Sequence, residues 1–291
     1  MYVYFLSNAF NMYLKYQNFF IFRFRKGSVG VAEIDHMPNV SDVMKKVVKH
    51  FEAFVVASKY EPYDTVSQKG YWKQLTVRQG YRTGDLLIWT ILHPQELNQE
   101  DMDQIKTEVK THFQTFEPKV TSLNIQFFGQ RQKGQPEPPV DCLAGEESIK
   151  EKLVNLNFKV SPQAFFQINT LAAEKLYETC SQVADLDKQN SVLFDVCCGT
   201  GTIGLCLASK VIFQFHEKIF LKMNYSILLE FLREIICLYS YKVKEVHGVD
   251  VVEEAVKDAN INAEANGITN AKFHAGKAEY ILPELLKKYG K

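Results

Sequence analysis

Between residues 40 and 58 the apolar positions Val43, Val47, Val48, Phe51 and Val55 recur every three or four residues. That period predicts an amphipathic helix, with Ser41 as its N-cap. Alternating apolar runs then predict two strands, 72–80 and 85–92, joined by the turn "GYRTG". A second helix follows over 98–116 and a third strand over 120–129. Helix, strand, strand, helix, strand is the order of an α+β domain. Residues 129–141 are polar and proline-rich and read as a linker.

The pattern then changes. A strand beginning near Leu156 breaks at Pro162, and a helix over 170–186 turns Leu171, Leu176, Tyr177 and Cys180 toward a core. Next come strand 191–197, a glycine turn, helix 202–210, strand 245–251, helix 252–265, strand 271–276 and a last helix from about 281. Strand alternating with helix predicts a parallel α/β sheet. The domain layout expected is an atypical extension 1–24, an α+β domain 25–140 and an α/β domain 141–291.

One stretch breaks this order. Residues 211–242 are rich in Ile, Phe, Leu, Tyr, Lys and Asn, the products of AU-rich codons, and so are residues 1–24. We read 211–242 as intron-derived sequence. Val211 requires a codon starting GT, and Lys242 is encodable by a codon ending AG. The competing reading is a genuine apolar helical insertion, which would have to be covered by something.

The glycines at 199, 201 and 204 have the GxGxxG spacing at a strand-to-helix turn. Backbone at such a turn approaches a ligand where Cβ atoms would obstruct it. The spacing alone fits NAD, S-adenosyl-L-methionine or no cofactor. Asp250, at the end of the next strand, suits a ribose hydroxyl pair, and equally the N-cap of the following helix. It lies 51 positions past Gly199, or 19 once the 32 residues of 211–242 are set aside. The expected separation is ~20. Lys277, Ala278 and Glu279, after the third strand, are candidates for the adenine side.

Composition narrows the classes. Lys plus Arg and Asp plus Glu are 34 each, so no overall basic field marks the 291-residue chain as a nucleic-acid binder. Six cysteines, at 142, 180, 197, 198, 206 and 237, form no CxxC or zinc spacing. They read as buried apolar residues of a reduced intracellular protein, cytoplasmic or nuclear and not secreted. No targeting segment, membrane span or metal-ligand pattern is evident, and the seven histidines read as ordinary. Arg78 and Arg82, flanking the first hairpin turn, are candidates for phosphate contact, against the commoner case of plain surface arginines.

"RKGSVGVAEIDHMPNVSD", "VSPQAFFQIN", "FDVCCGTGTIGLCLASKV" and "VVEEAVKDANINAEANGITNAKFHAGKAE" together resemble the SAM-dependent RNA uracil-5-methyltransferases. The resemblance covers about residues 25–210 and 243–289. It implies a Rossmann-like class I methyltransferase domain, C-terminally incomplete, behind an N-terminal α+β substrate domain. It implies S-adenosyl-L-methionine as methyl donor and a T-loop uridine of tRNA as substrate. The cofactor residues it implies are Gln167, Asp195, Cys197, Gly199, Gly201, Thr202, Asp250 and Ala278. Gln167 offers both donor and acceptor to an ammonium–carboxylate end, although a buried strand amide bonded to backbone would look the same in sequence. The family's chemistry adds a cysteine thiolate to carbon 6 of uracil and removes the carbon-5 proton with a base. Its "DPPR" and "SCNP" stretches and late glutamate do not occur here. We therefore expect no catalytic residue in this chain: it reads as a truncated uracil-5-methyltransferase without transfer activity, the alternative being a catalytically dead S-adenosyl-L-methionine- or tRNA-binding protein. Cys197 and Cys198, on the cofactor turn, are not expected to act as nucleophiles.

Overall fold

The computed structural model describes residues 2–3, 23–24, 31–32, 34–38, 40–64, 67–129, 137–183, 191–209 and 241–289. Most of 1–24, residues 130–136 of the linker and residues 211–240 lie outside them. The chain divides into two compact units, 1–149 and 150–291.

The first unit is a five-stranded mixed sheet with two helices. Strand β1 (Tyr2–Val3) pairs antiparallel with β4 (Trp72–Gln79). The short strands β2 (Arg23–Phe24) and β3 (Val31–Ala32) pair with each other. Strand β4 pairs antiparallel with β5 (Leu86–Leu92), which runs parallel to β6 (Ser122–Phe127). Parallel neighbours need a crossover, and α2 (Gln99–Phe113) supplies it. Its start is fixed by a capping box between Asn98 and Asp101.

Helix α1 (Asp42–Ala57) has Ser41 as N-cap, its hydroxyl accepting from Met44 N–H. It buries Met44, Val47, Val48, Phe51 and Val55. Met44 takes the inward place expected of Val43, one position round the helix. Phe51 packs edge-on against Trp72 with ring centroids 5.5 Å apart. Strand β7 (Asp141–Gly145) pairs with β6, so this unit runs past residue 140. Lys106 of α2 holds Asp141 at 2.8 Å, tying that strand down.

The second unit opens with two paired strands, β8 (Ile149–Leu153) and β9 (Leu156–Val160). Helix α3 (Thr170–Val183) buries Thr170, Ala173, Tyr177 and Cys180. Leu171, expected inside, is exposed, because the buried stripe starts one residue earlier. A parallel sheet follows in the order β10 (Ser191–Val196), β11 (Tyr241–Asp250), β12 (Ala271–Ala275). Tyr241 and Lys242 thus belong to a strand. Helix α4 (Thr202–Ala208) joins β10 toward β11, and α5 (Glu253–Ala265) joins β11 to β12. Helix α6 (Ala278–Lys287) starts three residues before the expected position, with Pro283 inside it. Among the described residues, no helix is long and apolar enough to cross a membrane.

Candidate functional site

The carboxyl ends of β10, β11 and β12 meet at the glycine turn. Cys197 N–H and Cys198 N–H both donate to the Val249 carbonyl, at 2.8 and 3.1 Å. This bends the chain out of β10 while keeping it against β11. Cys197 takes φ +63°, left-handed backbone that costs a residue with a Cβ about 1–2 kcal/mol.

The three glycines have different reasons to be glycine. A Cβ on Gly201 (φ +76°) would lie 2.7 Å from Phe273 Cζ. One on Gly204 would lie 3.0 Å from Asp195 Oδ2 and 3.1 Å from Val246 Cγ1. Both are forced by packing. A Cβ on Gly199 (φ +54°) would meet nothing nearer than the Phe165 carbonyl oxygen at 3.7 Å. Of the three, Gly199 alone has room for a Cβ, in ordinary contact with that oxygen, so its backbone is the one left uncrowded.

Asp250 is bound into this turn. Gly199 N–H donates to its Oδ2 and Val252 N–H to its Oδ1, both at 2.9 Å. Val252, not Asp250, is the N-cap of α5. Each carboxylate oxygen keeps lone-pair capacity for a further donor. Gly276 N–H donates to the Asp250 carbonyl at 2.7 Å, which brings the loop carrying Lys277, Ala278 and Glu279 beside it. Gln167 is half-buried in the irregular segment 161–169 between β9 and α3, not in a strand. Phe165 of that segment is the neighbour of Gly199 just described.

Other expected residues are spent on the protein. Asp195 is buried, and its Oδ2 accepts from Gly204 N–H at 2.9 Å. Burial raises its pKa to about 6; the Gly204 bond opposes this and the charge of Asp250 adds to it. The Thr202 hydroxyl is buried against Tyr177 OH at 3.1 Å. Arg78 is 1% exposed, in a strand flanked by β1 and β5, and does not stand on the surface as a phosphate contact would. Arg82, in the exposed hairpin turn, lies beside Tyr81, with 5.9 Å between guanidinium and ring centre.

The cysteines are also not all buried: Cys142 and Cys197 are exposed, while Cys180, Cys198 and Cys206 are inside. Burial pushes every one of these five thiols upward, Cys180 to about 11. None has the electropositive surroundings of an activated thiolate. Cys237 and His216 lie outside the described residues.

Sequence reasoning missed three features. A Cβ on Gly248 would fall 2.2 Å from Phe273 Cδ1 and 2.9 Å from Cys198 Sγ, so this strand glycine admits the ring under the turn. A glycine inside a strand pattern was the available signal. The second is the surroundings of His247, which is buried and contacts Glu245, Tyr289 and His274 at 3.1, 2.8 and 3.2 Å. Among the described residues, no group of three or more His, Cys, Asp or Glu is placed to hold a metal ion. The third is the polar stripe of α5, whose four-residue spacing is visible in sequence.

A parallel sheet with a glycine turn after its first strand and an acid after its second defines the second unit as a Rossmann-like α/β methyltransferase domain. The methyltransferase domain family matches residues 230–290. The chain is 36% identical over 270 residues to human tRNA (uracil-5-)-methyltransferase homolog A, which covers 91% of this chain and 38% of that protein. It is 34% identical over 272 residues to human homolog B, covering 92% of this chain and 47% of that one. Over this matched length the chain belongs to the tRNA (uracil-5-)-methyltransferase family, and it spans less than half of these relatives. The solved tRNA (uracil-54, C5)-methyltransferase of Pyrococcus abyssi, in complex with S-adenosyl-L-homocysteine, shares the fold. It is 19% identical, with TM-score 0.57 over 88% of this chain and 52% of that one.

Proposed function

We propose that this chain is the cofactor- and RNA-binding part of a tRNA uracil-5-methyltransferase, with S-adenosyl-L-methionine as its cofactor. The observation that carries the reading is the bare backbone of Gly199, with Asp250, the loop of Ala278 and the segment of Gln167 gathered at the same strand ends. Asp250 would accept from the ribose hydroxyls. Gln167 would bond the amino-acid end, and residues 277–279 would flank the adenine. Asp195, Gly201 and Thr202 shape the turn from beneath.

The same geometry weighs against NAD. A pyrophosphate needs unpaired N–H groups and positive potential at the turn. Here Gly204 N–H is held by Asp195 and Gly199 N–H by Asp250. Two carboxyl groups at one turn suit a sulfonium or ammonium cation and repel a diphosphate.

When bound, S-adenosyl-L-methionine supplies an electrophilic methyl group. Transfer to carbon 5 of uracil also needs a nucleophile at carbon 6, and the five described cysteines have thiols raised rather than lowered. Our reading is that these residues bind cofactor and tRNA, and that none of the five described cysteines serves as that nucleophile. Tyr81 and Arg82, an exposed ring and cation on one hairpin turn, offer stacking and phosphate contact to single-stranded RNA. Calorimetric titration with S-adenosyl-L-homocysteine and with NADH tests the cofactor. Tritium transfer to unmodified tRNA, run beside a gel shift, tests the rest. Binding only NADH, or measurable transfer by this chain, would overturn the corresponding half of the reading.

A further inference from the structure

Asp258 and Asn262 of α5 and its C-cap Asn266 lie four apart and line up along one side of the helix. That face lies along β9 and bonds its backbone as a neighbouring strand would. Asn266 Oδ1 accepts from Asn157 N–H at 2.9 Å, and its Nδ2 donates to the Asn157 carbonyl at 2.7 Å. Asn262 repeats the pattern on Lys159, accepting from its N–H at 2.6 Å and donating to its carbonyl at 3.2 Å. Asp258 accepts from Ser161 N–H and from the Ser161 hydroxyl, both at 2.9 Å, with the Lys159 ammonium at 3.3 Å.

Asn262 differs from the other two rungs. Its second amide hydrogen goes to the Thr200 carbonyl at 3.2 Å, inside the glycine turn between Gly199 and Gly201. It is 1% exposed, and both amide hydrogens and the oxygen are used. One side chain therefore holds β9, two residues before the segment with Phe165 and Gln167, and also the turn that this segment faces.

We propose that Asn262 is a positioning residue for the cofactor site, setting the glycine turn against the segment that carries Gln167 by bonding both backbones. The proposal rests on the S-adenosyl-L-methionine reading above. Asn262→Asp keeps the size and the acceptor for Lys159 N–H but turns an oxygen toward two carbonyls. Asn266→Asp makes the same change one helical turn on, where no bond reaches the glycine turn.

The test is calorimetric titration of the full chain and both variants with S-adenosyl-L-homocysteine, at a temperature where circular dichroism shows each folded. Asn262→Asp should weaken binding about tenfold or more, and Asn266→Asp by less than about twofold. Equal weakening by both, or none by either, would overturn the positioning role while leaving the cofactor reading intact. If the unmodified chain binds no S-adenosyl-L-homocysteine, the cofactor reading fails and the proposal falls with it. If Asn262→Asp does not fold, amide exchange of the unmodified chain decides. Because coupling is reciprocal, saturating S-adenosyl-L-homocysteine should slow exchange at Lys159 more than at Asn157. Equal effects at the two amides would overturn the proposal.

Discussion

Replacing Gly201 or Gly199 by alanine adds the same methyl group two residues apart, with opposite expected consequences. At Gly201 the new Cβ would fall 2.7 and 2.8 Å from two atoms of the Phe273 ring and 3.0 Å from Ala259 Cβ, at φ +76°. The left-handed backbone costs about 1–2 kcal/mol and overpacking about 1–3 kcal/mol. About 0.4–1 kcal/mol returns because the unfolded chain loses freedom. The net is a destabilisation of about 2–4 kcal/mol, or about 6–12 °C in Tm for a unit of this size. At Gly199 the backbone cost remains but the Cβ meets only the Phe165 oxygen at 3.7 Å. The expected loss is about 1 kcal/mol, or about 3 °C. The methyl group would instead occupy the space left for the ligand. Thermal unfolding by circular dichroism and calorimetric titration with S-adenosyl-L-homocysteine read the two effects separately. Gly199→Ala should stay folded and lose about tenfold or more in affinity. A Gly199→Ala chain as unstable as Gly201→Ala, or one binding like the unmodified protein, would refute this division of roles.

Three further outcomes follow from buried and exposed charge. Asp195 has its folded pKa raised from 3.8 to about 6, so its contribution to stability is full below about pH 4 and is lost as pH rises through about 6. The shift is worth about 3 kcal/mol. Urea unfolding of the unmodified chain and of Asp195→Asn across this range should show the unmodified chain losing stability relative to the variant up to about pH 6.5. A pH-independent difference would contradict the assignment. In the first unit, Arg82→Ala should leave Tm unchanged, weaken tRNA binding and lower its salt slope by about one. Arg78→Ala should instead lower Tm, since Arg78 is packed within the sheet.

Much of the layout was legible from periodicity. Ser41 caps α1, and Val47, Val48, Phe51 and Val55 face inward as their spacing put them, because helix caps and faces are local properties. The βαβαβ order and the turn at Gly199 were likewise visible, as were the acid at Asp250 and the family likeness. Small offsets arose where two apolar residues compete for one inward place, as Val43 and Met44 do. Strand β7 and the pairing of β8 with β9 were not read, because short strands with mixed polarity carry little pattern.

The division of labour within the site was decided by tertiary structure. The sequence by itself determined that a strand ends in a glycine turn and that an acid ends the next strand, and its family resemblance implied S-adenosyl-L-methionine there. It left Gly199 and Gly201 equivalent, and Arg78 equal to Arg82. Only the folded chain separates them. Phe273, 72 positions after Gly201, fills the space under that residue and leaves Gly199 open. Asn262 reaches Lys159 across 103 positions. Steric exclusion and hydrogen bonding act on atoms a few ångströms apart, and the chain brings those atoms together only when its strands and helices are packed.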